Sequence, residues 1–286
     1  MVPKVCYTDM KQNRISTLKN MVWAFGIVIC LLFIGVGMIF AMFHRYTPPE
    51  KTYDYSLYST PQTGQADLSS SALGSGISRG ALHLLGETAD GGDSYVKRIT
   101  FLVDSTYIAL RDLGLVDSAQ VWGSPTGSLK MDNLPNAVIR YPNDGSEISP
   151  VSAAMISKPD ILVIAIGEDG LANVDENTFI TYYDNLIKEI KSASPDTIVI
   201  CCSLPSIIPG YNGSDGLTVT RVSDGNDWVQ MVCRDTQSYF LNSSDELSES
   251  VQLLPRYASS NGKTLNRAGL EVFLRYLRTH TIPKNA

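Results

Sequence analysis

The chain has 286 residues, a formal net charge of −6, 44% hydrophobic residues and 18% charged residues. This length allows one sizeable domain or two small ones, and the composition excludes a disordered chain. The acid excess argues against nucleic acid as a partner, because phosphate contacts need clustered Lys and Arg.

The first twenty residues carry Lys4, Lys11, Arg14 and Lys19 against Asp9, and the run from Met21 to Phe43 then carries no charge. A helix needs about 20 apolar residues to cross the hydrocarbon core of a membrane. A buried soluble helix would show a polar face, and this run has none. It is longer than the apolar region of a signal peptide and ends in Phe43-His44-Arg45 rather than in small residues. It is therefore read as one uncleaved transmembrane helix over residues 21–43. Lys and Arg near a span stay cytoplasmic, so the tail 1–20 is expected inside and the remainder outside the cell. The expected localisation is the cell membrane, single-pass, with an extracytoplasmic C-terminal domain. The outer part holds the acid excess and is unsuited to lying flat on an anionic membrane.

Residues 44–93 are rich in Pro, Ser, Thr, Gly and Tyr and read as a linker. Within it, Ala81–Leu85 either forms one helical turn or docks on the domain. The domain itself is expected over 94–286. Ile99–Val103 reads as a short apolar strand, Thr106–Leu113 as helical and Gln120–Trp122 as a second short strand. Ser149–Ser157 is expected to be helical. Ile161–Ile166 is a continuous apolar run, as in a strand covered on both faces. Asp175–Ser192 is expected to be a helix with Phe179, Tyr183, Leu186, Ile187 and Ile190 on one face. Thr197–Leu204 follows as another buried strand, Asp227–Thr236 as a helix and Tyr239–Leu241 as a strand. Asn266 is a fair N-cap for a last helix, Arg267–His280, with Ala268, Val272, Phe273, Tyr276 and Leu277 as its apolar stripe. About five strands separated by helices imply an α/β fold of three α/β/α layers with a parallel sheet. In such sheets the site lies at the carboxyl ends of the strands. That directs attention to Asp104-Ser105, to Gly167–Gly170 and to the loop before the last helix.

Cys201 and Cys202 are adjacent in a strand and point to opposite faces, so they would not pair with each other easily. Cys233 could pair with either in an oxidising exterior, but buried free thiols are the ordinary reading. No Cys/His metal spacing occurs, and no cofactor is called for. Asp104, Glu168 and Asp169 could gather in one cleft around a hard cation, with solvated loop carboxylates as the plainer expectation.

The motifs at those three places resemble the SGNH, or GDSL, hydrolase family over about Tyr95–Ile282. The segment FLVDSTYIAL matches its first motif, which puts Ser105 at the nucleophile position and Val103 in place of a glycine. VWGSPTGSL offers Gly127, or Gly123, as the oxyanion-hole glycine. IGEDG matches the third motif with Asp169 where the family has an Asn. SSNGKTLNRAGL matches the last motif with Asn261 at the Asp position and Thr264 at the His position. The resemblance implies an SGNH or flavodoxin-like fold and serine ester hydrolysis, but the replacements fall on the chemistry. Thr264 cannot act as a base near neutral pH, and an ionised Asp169 would repel an oxyanion. Of the other histidines, His44 borders the span and His280 ends the last helix, and His83, in the linker, would serve as a base only if the linker folded back over the site. Ser105 is either a surviving functional hydroxyl or a cap on the following helix. The resulting expectation is a degenerate domain that binds a cell-envelope carbohydrate or a protein partner. The alternatives are an active esterase or O-acyl transferase with Ser105 as nucleophile, and a structural docking subunit.

Overall fold

The apolar runs fold as parallel strands, and their alternate residues feed two separate cores. A computed structural model describes residues 80–283, within a compact unit spanning Gly74–Ala286. The expected span 21–43, the tail before it and most of the linker lie outside the described residues. No helix among the described residues is long and apolar enough to cross a membrane.

The main sheet contains β1 (His83–Leu84), β2 (Ile99–Val103), β3 (Val121–Gly123), β6 (Ile161–Ala165), β7 (Ile198–Cys202) and β8 (Tyr239–Leu241). Their order is β1-β8-β7-β6-β2-β3 and every pairing is parallel. The expected five strands are present, and β1 makes a sixth. It comes from the stretch read as linker, where Leu85 N–H donates onward to the Phe240 carbonyl. A two-residue strand next to polar sequence has no periodicity to read, and pairing with β8 alone makes it a strand. Two small antiparallel pairs lie outside the sheet: β4 (Ile139–Arg140) with β5 (Glu147–Ile148), and β9 (Ser248–Glu249) with β10 (Gln252–Leu253).

The helices are α1 (Gly92–Val96), α2 (Ala109–Asp112), α3 (Pro150–Ser157), α4 (Glu176–Ala193), α5 (Val219–Thr236), α6 (Ser244–Leu247) and α7 (Arg267–Thr279). One core joins Leu102, Leu162, Ile164, Val199 and Cys201 of the sheet to α3, α4 and α5. The other joins Phe101, Val103, Val163, Ile200 and Cys202 to Tyr107, Leu110 and α7. Successive strand residues point to opposite faces, so a strand buried on both faces needs an unbroken apolar run. The same rule separates Cys201 from Cys202, and both are free and buried, as is Cys233.

Ser149, Asp175 and Asn266 each cap their helices by accepting an N–H of the first turn. The buried stripe of α7 uses Gly269 and Leu270, and Ala268 is exposed. Helix α5 begins eight residues earlier than the sequence suggested. Its first turns contain Val219, Thr220, Val222 and Gly225, which are poor helix formers. Tertiary contacts supply what propensity lacks. The Arg221 guanidinium donates to the Leu171 and Val174 carbonyls and lies over the Trp228 ring. At Gly225 an added Cβ would come within 2.9 Å of Leu204 Cδ1, so glycine admits the close approach.

Phe273 is fully buried on α7, its ring 4.7 Å from that of Tyr107. Phe273→Ala is expected to lower unfolding stability by about 3–5 kcal/mol, read from chemical denaturation at unchanged m-value.

Candidate functional site

Three loops meet at the carboxyl edge of the sheet. β2 delivers Asp104, Ser105 and Thr106, β6 delivers Gly167, Glu168 and Asp169, and the loop before α7 delivers Asn261–Thr264. Asp104 is almost fully buried and ties the first two loops together. Its Oδ1 accepts the Thr106 N–H at 3.0 Å, and its Oδ2 accepts the N–H groups of Gly167 and Glu168, both at 3.1 Å. Gly167 has φ +129°, a conformation reserved for glycine, and a Cβ there would also press on Leu204 and Phe179.

Ser105 and Asp169 form the centre of the arrangement. The Ser105 hydroxyl donates to Asp169 Oδ1 at 2.7 Å, and the Ser105 backbone N–H donates to Asp169 Oδ2 at 3.0 Å. One carboxylate thus takes both hydrogens that Ser105 offers. Glu168 lies beside it, with Oε2 accepting the Thr106 hydroxyl at 2.5 Å and Oε1 buried without a hydrogen-bond partner. The cation facing these acids is Lys263. Its Nζ stands 3.0 Å from Asp215 Oδ2, 3.8 Å from Asp169 Oδ1 and 3.9 Å from Glu168 Oε1. Asp215 also accepts the Tyr211 hydroxyl at 2.8 Å.

The electrostatics follow from burial. Burial and then the charge of Asp169 push the Asp104 carboxyl up to about 7, against the pull of its N–H donors. Burial, and next the charge of Asp104, raise Glu168 well above the usual carboxylate range, with Thr106 and Lys263 opposing. For Lys263, burial acts downward, but the charges of Glu168, Asp169 and Asp215 outweigh it and hold the ammonium above its ordinary value.

The remaining expected site residues lie as follows. Asn261 Oδ1 accepts the Lys263 N–H, the Thr264 N–H and the Thr264 hydroxyl at 3.0–3.1 Å. The two residues at the positions of an acid and a base therefore satisfy one another in a turn, and none of these bonds goes to Ser105. Gly127 lines a separate cleft with Ile108, Arg111 and Arg140, and its N–H donates to the Ser124 carbonyl. Gly123 ends β3, its missing Cβ leaving room for Ile108. The three carboxylates considered for a cation do gather, but their oxygens face protein donors and Lys263. Among the described residues no His, Cys, Asp or Glu group has the geometry of a metal site.

Among the described residues no imidazole serves Ser105. His83 sits on β1, four strand positions from β2 and so about 19 Å away, bonded to Gln237. His280 stacks on Tyr276 at the end of α7, its Nδ1 2.9 Å from the Tyr276 carbonyl oxygen. The cleft nearest these residues, about 340 Å³, is lined by Lys130, Glu168, Asp169, Asp215, Leu217 and Lys263, and Ser105 does not line it. Sequence reasoning passed over Lys263 and Asp215. Lys263 stands inside the last motif between Asn261 and Thr264, where a cation bound for the same sheet edge as Asp104, Glu168 and Asp169 was the available signal.

In fold the chain is similar to the GDSL, or SGNH, hydrolases. A GDSL-like lipase from Bacteroides thetaiotaomicron is 12% identical, with 64% of this chain and 86% of that one covered and a TM-score of 0.44. A carbohydrate esterase of family 3 from Talaromyces cellulolyticus is 13% identical, covering 62% and 92%, with a TM-score of 0.41. A protein from Streptococcus pneumonia, provisionally described as a platelet activating factor, is 18% identical, covering 63% and 82%, with a TM-score of 0.49. No family model matches the sequence, and no curated protein does.

Proposed function

We propose that the chain is a membrane-anchored, extracytoplasmic SGNH-like domain that does not hydrolyse esters and works by binding a cell-envelope carbohydrate or a protein partner. The observation that carries this reading is the double hydrogen bond from Ser105 to Asp169. A serine hydroxyl needs an adjacent base, and the oxyanion that follows needs donors. Here a negative charge stands where donors are required, and it takes up the backbone N–H that would be one of them. Thr264 and Asn261 are engaged with each other, so among the described residues the usual base and its orienting acid have no counterpart.

Hydrolysis of 4-nitrophenyl acetate by the full-length chain and by Ser105→Ala is the test. Both are expected to run at the same background rate. Turnover by the wild type that Ser105→Ala abolishes would overturn the proposal and establish the alternative, an esterase with Ser105 as nucleophile.

The anchor and its orientation rest on the uncharged run 21–43 and the basic residues before it. A reporter fused after Ala286 is expected to be accessible only from outside the cell. Protease added to intact cells is expected to release the domain by cutting between residues 44 and 79. A C-terminus fully protected in intact cells would exclude this topology.

A further inference from the structure

A second cleft opens at the carboxyl ends of β7 and β8, against the first half of α5, and contains none of the residues around Ser105. Its volume is about 270 Å³. That is close to the lower end of the roughly 300–1,000 Å³ typical of small-ligand sites, so it suits a short segment of a ligand.

The lining is selective in its chemistry. It contains no Lys, Arg or His, so nothing in it would neutralise an anion. Asp227 and Asp245 supply two carboxylates, both raised above the usual range, Asp227 by burial and by the nearby Asp224, Asp245 by burial. The Ser206 and Ser248 hydroxyls are buried without hydrogen-bond partners, and Ser206 is only 6% exposed. A buried hydroxyl left unpaired is costly, and a χ1 rotation that turns either one toward the cleft would let a ligand with its own donors and acceptors remove that cost. Gln230 projects from α5 into the same space. Val222 and Phe240 give the cleft an apolar wall.

The rim is unusual as well. Ser250 and Val251 form the turn between β9 and β10 with φ of +49° and +62°, and Val251 is 70% exposed. A β-branched residue in the left-handed region is strained, and this one also presents apolar surface to solvent at the mouth of the cleft.

An apolar ligand would bury Asp227 unpaired and leave Asp245 with the Asn242 side chain as its hydrogen-bond donor, and an anionic ligand would be repelled. A ligand that combines many hydroxyls with CH faces satisfies both the polar groups and the apolar wall. We propose that this cleft binds a short hydroxyl-rich, non-anionic glycan segment, at a site separate from the Ser105 centre and independent of whether that centre turns over esters.

The test is calorimetric titration of the full-length chain, held in a detergent without a sugar headgroup. Four probes are compared: the neutral trimer of N-acetylglucosamine, the cationic trimer of glucosamine, the anionic trimer of galacturonic acid, and a Ser/Thr-rich peptide. At least one of the first two is expected to bind, and the last two are not. Gln230→Ala and Asp227→Asn are each expected to weaken binding about 3–10-fold, the loss of one hydrogen bond. Ser223→Trp, at an exposed helix position on the cleft, is expected to abolish binding by filling the mouth. Lys130→Ala, on the other cleft, is expected to leave it unchanged. All variants are to be compared at matched melting temperature. Failure of both non-anionic trimers to bind would overturn the proposal. So would equal binding of the galacturonic acid trimer, binding of the peptide in their place, or affinity indifferent to Ser223→Trp.

Discussion

The full-length chain carrying Lys263→Met is expected to melt about 5–10 °C below the wild type at pH 8, and by distinctly less at pH 5. Lys263 is the cation that faces Glu168, Asp169 and Asp215 together. Removing one partner of a buried ion pair costs about 3–5 kcal/mol. The Lys263 side chain keeps 19% of its exposure and Asp215 keeps 36%, so solvent screens part of this. A loss of about 2–3 kcal/mol remains, and a domain of this size loses roughly 2–4 °C per kcal/mol. The pH dependence follows from the raised acids. Asp104, at about 7, and Glu168, well above the usual range, bind protons more tightly folded than unfolded. Their contribution to stability is complete below their unfolded pKa values, near 4, and is lost as pH rises through the folded ones. At pH 5 Asp104, at about 7 when folded, is largely neutral, so the cluster around the missing ammonium carries less negative charge. At pH 8 Asp104 is ionised, and the variant holds uncompensated charge. Melting curves of both proteins across this range decide the matter. An unchanged melting temperature, or an equal loss at both pH values, would show that Lys263 is not the counter-ion of this cluster.

Repair of the serine centre is expected to be all-or-none. Asp169→Asn, Asn261→Asp and Thr264→His, made singly, are each expected to leave 4-nitrophenyl acetate hydrolysis at background. Asp169→Asn removes the charge from Ser105 but supplies no base. Thr264→His supplies a base whose tautomer nothing orients and which still faces the charge of Asp169. Groups that act as a unit are strongly non-additive, and one oxyanion donor alone is worth about 10²–10³ in rate. The triple variant is expected to exceed background by about 10²-fold, and adding Ser105→Ala is expected to remove the gain. Activity in any single variant would mean that the centre needs less than this geometry implies. A triple variant indistinguishable from its Ser105→Ala form would mean that Val103, in place of the motif glycine, or the neighbouring Lys263, blocks the reaction.

What the sequence determined by itself was the interior of the fold. The unbroken apolar runs Ile161–Ala165 and Ile198–Cys202, and the capped amphipathic helices α4 and α7, carry their signal in local periodicity, and all appear at nearly the expected bounds. The edge was not legible. β1 exists because β8 offers it backbone partners, and the first turns of α5 exist because Arg221 and Gly225 find tertiary contacts that outweigh poor propensity. The site was half legible. The motif resemblance put Ser105 and Asp169 at strand ends and Asn261 and Thr264 in the loop before the last helix, but side-chain direction decides chemistry, and sequence carries none. Only the tertiary structure turns Asp169 onto both hydrogens of Ser105, closes Asn261 on Thr264, and brings Lys263 across from a third loop to the buried acids. The Asn261–Thr264 turn is local, but Ser105 and Asp169 stand 64 positions apart and Lys263 lies further still from Asp169, separations at which local pattern holds no information and packing of the whole sheet fixes the geometry.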